Sequence, residues 1–124
     1  MGRYIFFNTD YTYKFAFGRQ KDSDLFYYGG KFKETDKSTT MEWGAEDIGN
    51  IQQRLEWLEQ SYLLDRPDLS KYAHTPEGTR NLQFDYWEKY GYHTIDDIKA
   101  RHMLGLVLYH QLQYKTYLVG ECDI

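Results

Sequence analysis

Residues 11–17 read YTYKFAF. Tyr11, Tyr13, Phe15 and Phe17 alternate with Thr12, Lys14 and Ala16, and strict alternation predicts a strand with one buried face. Upstream, Arg3–Phe7 (RYIFF) forms a second apolar run. Asn8, Thr9 and Asp10 between them are turn residues, so the two runs predict a hairpin with a three-residue loop. The rings at 11, 13, 15 and 17 are read as facing inward under a helical lid. If they faced water instead, the same strand would be a platform for stacking bases.

Working outward, Gly18–Asp24 (GRQKDSD) is a polar connection, and Leu25–Tyr28 predicts a short third strand broken by Gly29-Gly30. Lys31–Trp43 predicts one or two strands around a polar turn at Thr35–Ser38. The periodicity then changes. Ile48, Ile51, Leu55, Leu58 and Tyr62 recur at helical spacing, with Glu46 and Asp47 in a first turn where acids complement the helix dipole. Pro67 is expected to end this helix, because it restricts Arg66 away from helical geometry. Thr75-Pro76 predicts the cap and first position of a second helix, whose inner stripe is Leu82, Tyr86 and Tyr90, with Phe84 and Trp87 beside it. Gly91 stops it. Thr94–Asp97 opens a third helix carrying Ile95, Ile98, Leu106 and Tyr109 and ending near Gln113. Tyr114–Gly120 is a final turn or a strand returning to the sheet, with Thr116–Val119 favouring the strand.

Strands first and helices afterwards predict an α+β domain. Its N-terminal antiparallel sheet packs against two or three C-terminal amphipathic helices. With 124 residues the whole chain, 1–124, is read as one such domain. Aromatic residues make up 19% of the chain against 41% hydrophobic, so much of the apolar area comes on rings, many with a polar tip that suits half-buried positions. The net charge of −4 conceals a gradient: residues 1–44 carry seven Lys/Arg against six Asp/Glu, and the rest carries eight against thirteen. Coating duplex nucleic acid needs a strong positive field, which this balance does not supply.

Several chemistries lose their footing in the sequence. One cysteine, Cys122, excludes an internal disulfide and, with no Cys/His grid, a structural zinc. Flanked by acids, it has no reason for a lowered pKa. No metal site and no cofactor is expected. His102 and His110 lie on one face of the third helix, too far apart along its axis to share an ion. Each histidine, with His74 and His93 near loops, is read as a surface or capping residue. Asp22 and Asp24 lack the framework of a calcium loop, and Gly44–Asn50 lacks the Lys-Ser/Thr of a phosphate loop. Lys14–Arg19 (KFAFGR) misses the glycine of the RNA-binding aromatic submotif. Met1-Gly2-Arg3 leads directly into a strand pattern and no run reaches membrane-spanning length, so a soluble cytoplasmic protein is expected.

The opening MGRYIFF, then YKFAFGRQ, a Gly-rich step and TMEWG before an amphipathic helix resemble the start of small uncharacterised proteins of large DNA viruses. The resemblance covers about the first third of the chain. It implies a virus-encoded protein acting in the host cytoplasm, and it carries over no activity and no site.

The residues not used by the periodic core are then the candidates for function. Arg19, Tyr27, Tyr28 and Lys31 surround the double glycine, and Trp57 sits on a flank of the first helix, either packed or exposed as an anchor. They predict a non-catalytic binding module, with a Tyr/Phe/Trp-rich surface and basic edges that engages a protein partner or a small planar or phosphorylated ligand. A homo-oligomer is compatible with the same residues. Two alternatives stand beside it. One is a small enzyme on a nucleotide-like phosphate ester, with His74 or His93 as general base and Arg19 or Arg80 as clamp. The other is a single-stranded nucleic-acid binder.

Overall fold

The structure, a computed structural model, describes residues 4–7, 13–16, 27–34, 39–91 and 97–123. Five strands run β1 (Tyr4–Phe7), β2 (Tyr13–Ala16), β3 (Lys31–Glu34), β4 (Thr39–Gly44) and β5 (Tyr117–Asp123). Among the described residues three α-helices stand between β4 and β5: α1 (Ile48–Tyr62), α2 (Pro76–Tyr90) and α3 (Asp97–Leu112). The strands form one antiparallel sheet in the order β2-β1-β5-β4-β3. The fold is α+β as expected, and of the two readings of Tyr114–Gly120 the returning strand is the one found. The sheet's middle strand, β5, comes from the far end of the chain and joins two N-terminal hairpins.

Those hairpins follow from the alternation. In the first, Ile5 pairs with Phe15 and Phe7 with Tyr13. The register continues through Phe7 to Gly120 and on to Met41, a core residue, so Tyr13 and Met41 share one cross-strand row. The expected loop Asn8–Asp10, and the surroundings of the rings at Tyr11, Tyr13, Phe15 and Phe17, lie outside what is described. In the second hairpin, Phe32 pairs with Met41 and Lys31 with Glu42. The expected strand over Leu25–Tyr28 is corrected: Tyr27 and Tyr28 form a turn, while Leu25 and Phe26 lie outside the described residues. Gly29 and Gly30 take φ of 81° and 92°, a region that only glycine enters without strain. A Cβ on Gly30 would also lie 2.7 Å from Nε1 of Trp43, so the double glycine serves a close approach to the core.

The first two helices obey their start signals, while that of the third, Thr94–Asp96, lies outside the described residues. Asp47 accepts a hydrogen bond from the Gly44 N–H at 2.8 Å, and the Thr75 hydroxyl accepts from the Gly78 N–H at 3.0 Å. Helix α1 buries Ile51, Leu55 and Leu58, each stabilising by about 1.5–3 kcal/mol relative to exposure. It stops at Tyr62, before Pro67, because Leu63 turns left-handed at φ 55° and ψ 45°. The residues from His102 to Leu108 are buried without a break, so α3 has no solvent face there. It is the hub on which α1 and α2 pack, and it also touches β5. A helix covered all round over two turns shows little apolar stripe, so of the expected two or three amphipathic helices α1 and α2 are the clear ones.

Candidate functional site

Three groupings of side chains stand out from the packing. The first is a buried polar chain. His102 on α3 has no exposed surface; its Nε2 lies 2.8 Å from Glu59 Oε2 and its Nδ1 3.0 Å from the Tyr86 hydroxyl. Burial lowers the imidazole pKa, with Glu59 opposing the shift, and the neutral form follows. A carboxylate only accepts, so Nε2 carries the proton and Nδ1 is left to accept. The Tyr86 hydroxyl stands within reach of both that nitrogen and the Lys99 carbonyl, at 3.1 Å. Glu59 also holds Arg66 through both carboxylate oxygens, at 2.8 Å each to Nε and Nη2, and Arg66 Nη1 donates to Gln52 at 2.7 Å. The chain ties α1, α2, α3 and the segment after α1 into one polar unit.

A second buried histidine joins α2 to the end of α3: His110 Nδ1 lies 2.6 Å from the Thr79 hydroxyl, which is 3.3 Å from that of Tyr114. Burial again lowers its pKa, against opposing backbone contacts from Tyr72 and Ala73. The surface or capping role expected for both residues is therefore corrected. They are interior fasteners on a helix that is buried without a break from His102 to Leu108. His74 is exposed, its ring 5.7 Å from that of His110, and His93 lies outside the described residues. Among the described residues, no three His, Cys, Asp or Glu side chains come together to hold a metal.

The third grouping contains the expected contact residues. Tyr27 is half-buried beneath two guanidinium groups, Arg101 at 4.7 Å and Arg54 at 5.2 Å from its ring centre. Its hydroxyl donates to the Arg54 carbonyl at 3.3 Å. Burial raises its pKa, partly offset by the two arginines, with Tyr62 adding to the rise as a further neighbour. Tyr62 meets Trp57 edge to face at 6.3 Å, and Trp57 is 55% exposed. Leu63, next in the chain, is 89% exposed. Trp57 is thus exposed rather than packed; it meets Tyr62, and Arg54, one turn before it on α1, stands over the ring of Tyr27.

The other expected residues separate from that patch. Tyr28 is corrected: it is fully buried, its hydroxyl donates to the Arg101 carbonyl at 2.5 Å, and its ring lies where a side chain at residue 105 would be, against Gly105. A ring in the core cannot meet a ligand at the surface. Lys31 is exposed on edge strand β3, opposite Glu42. Arg19 lies outside the described residues.

Sequence reasoning missed a cleft between α2 and the segment that follows α1. It has a volume of about 390 Å³, with Tyr72, Tyr86 and Tyr90 among its walls and Asp85 beside them. Tyr72 donates to Asp85 Oδ2 at 2.6 Å. Burial and that carboxylate both push the Tyr72 phenol upward, so it stays a neutral donor. Lys71 and Lys89 stand at the same cleft. The signal in the sequence was Tyr86 and Tyr90 one turn apart with Lys89 between them, but Tyr72 lies in an irregular segment that no periodicity marks.

Comparison with protein-family models, with curated proteins and with solved structures finds no match to this chain.

Proposed function

We propose that this chain is a non-catalytic interaction module that grips a protein partner through the surface formed by Tyr27, Arg54, Trp57, Tyr62 and Leu63. The observation that carries the reading is Trp57, more than half exposed on a helix flank, with an exposed Tyr62 against it and an almost fully exposed Leu63 next to Tyr62 in the chain. Trp, Tyr and Arg are the residue types that dominate binding hot spots, because they join large contact area to directional polar groups. Leu63 adds an argument from strain. A branched residue in the left-handed region costs about 1–2 kcal/mol, and its side chain gains no burial from standing there.

Charge selects the partner. Two guanidinium groups border the rings, so the complementary surface is an acidic segment carrying an apolar side chain. Of the two histidines that a general base would use, His74 is exposed with its ring 5.7 Å from that of His110, and His93 lies outside the described residues. No described helix is long and apolar enough to cross a membrane. The cell interior, the host cytoplasm if the chain is virus-encoded, belongs to the same proposal.

The test is an array of acidic peptides, each with one Trp, Phe or Leu, probed with the wild-type chain and with Trp57→Ala and Arg54→Glu. Binding should fall by about tenfold or more in Trp57→Ala, and Arg54→Glu should invert the preference for acidic peptides. Variants that keep their circular dichroism and bind the array as the wild type does would remove the patch from consideration.

A further inference from the structure

The cleft beside α2 has a composition that the interaction patch does not explain. Three tyrosine rings line it, and the charges at its walls are Asp65, Asp85 and Glu88 against Lys71 and Lys89. With Lys99 at Tyr90, the ammonium groups only balance the three carboxylates, so the cleft offers a phosphate or carboxylate ligand no net positive field. The rings themselves already hold cations. Lys71 Nζ stands 5.5 Å from the centre of Tyr72, while Lys89 and Lys99 stand 5.3 Å and 5.4 Å from that of Tyr90. These are cation–π distances, and they mark ring faces that present their negative quadrupole to positive charge.

From this geometry we infer that the cleft is a binding site for a small quaternary or multiply methylated ammonium compound, held against the half-buried Tyr90, the exposed margins of the otherwise buried Tyr72 and Tyr86, and Asp85. Its volume falls within the range of small-molecule sites, about 300–1,000 Å³. The walls are held in place before the ligand arrives. Tyr72 and Asp85 are hydrogen-bonded to each other, Tyr86 is braced from behind by His102 and the Lys99 carbonyl, and Tyr86 and Tyr90 lie 4.7 Å apart. Such preorganisation reduces the ordering cost of binding. An alkylated ammonium is weakly hydrated and enters a ring-lined cleft at little desolvation cost. The primary ammonium of lysine is strongly hydrated, and its flexible stem lets it withdraw to water. Lys71, Lys99 and Lys89, the last also 3.5 Å from Asp65, therefore act as displaceable occupants.

The discriminating experiment compares choline with its neutral isostere 3,3-dimethylbutan-1-ol by calorimetry and thermal shift on the full chain. Choline should bind saturably and at least about tenfold more tightly than the isostere, because only the charged form gains from the rings and the carboxylates. Asp85→Asn should weaken choline binding, and Lys89→Met should strengthen it by removing a competing cation. Both positions are exposed, so the variants should fold even where changes at Tyr72 or Tyr86 do not. Equal affinity for the isostere, absence of saturable choline binding, or weaker binding by Lys89→Met would overturn the assignment. A trimethyllysine peptide binding more tightly than choline would overturn the choice of a free small molecule.

Discussion

Tyr27 and Tyr28 are adjacent and chemically identical, yet one borders the surface and the other is core. Nothing local distinguishes them. The difference comes from Gly105, far along the chain, whose missing side chain leaves room for the Tyr28 ring. Gly105→Ala tests this by its sign. In an exposed helix the change would stabilise by about 1 kcal/mol, whereas a Cβ pressed against Tyr28 and Leu55 should destabilise by about 1–3 kcal/mol, read from the urea midpoint. The two buried histidines supply a pH prediction. Their folded pKa values are lowered below 6.5, so the unfolded chain binds protons that the folded one refuses. Their contribution is complete above pH 6.5 and is lost as pH falls through that value towards the folded pKa values. Replacing His102 with Gln should flatten the decline in stability between neutral and mildly acidic pH; an unchanged slope would mean that His102 titrates as in the unfolded chain.

Elements with strong periodicity and caps could be read from the sequence: α1 through Ile51, Leu55 and Leu58, and α2 through Thr75 and Pro76. The environment of α3 could not, since a helix enclosed by its neighbours loses the stripe that marks an amphipathic one. The end of α1 also escaped the reading. Pro67 looked like the terminator, but the chain turns at Leu63, a residue with no intrinsic preference for the left-handed region. Replacing Leu63 with Gly should raise stability by about 1 kcal/mol, by removing strain at positive φ, and the same change should weaken peptide binding at the Trp57 patch. A variant less stable than wild type would show that the Leu63 side chain does structural work. The candidate surface was legible only as far as Trp57 and Tyr27, which no apolar repeat claimed. The cleft was not, because its walls come from a helix stripe and an irregular segment that meet only in three dimensions.

At the scale of the molecule, β5 is the seam. Its pairing with β1 brings Tyr4 opposite Asp123, and its pairing with β4 brings Trp43 opposite Leu118. Contacts of such sequence separation require a large loop to close before they return any stability, which slows folding. Deleting residues 117–123 should leave two hairpins with no strand between them, seen as loss of the cooperative thermal transition. On the ribosome, both hairpins emerge well before the strand that unites them. Until it arrives, β1 and β4 each offer a row of unpaired amides and carbonyls, the template on which neighbouring chains assemble. Nascent or truncated copies are therefore expected to recruit chaperones and to aggregate at concentrations the finished chain tolerates.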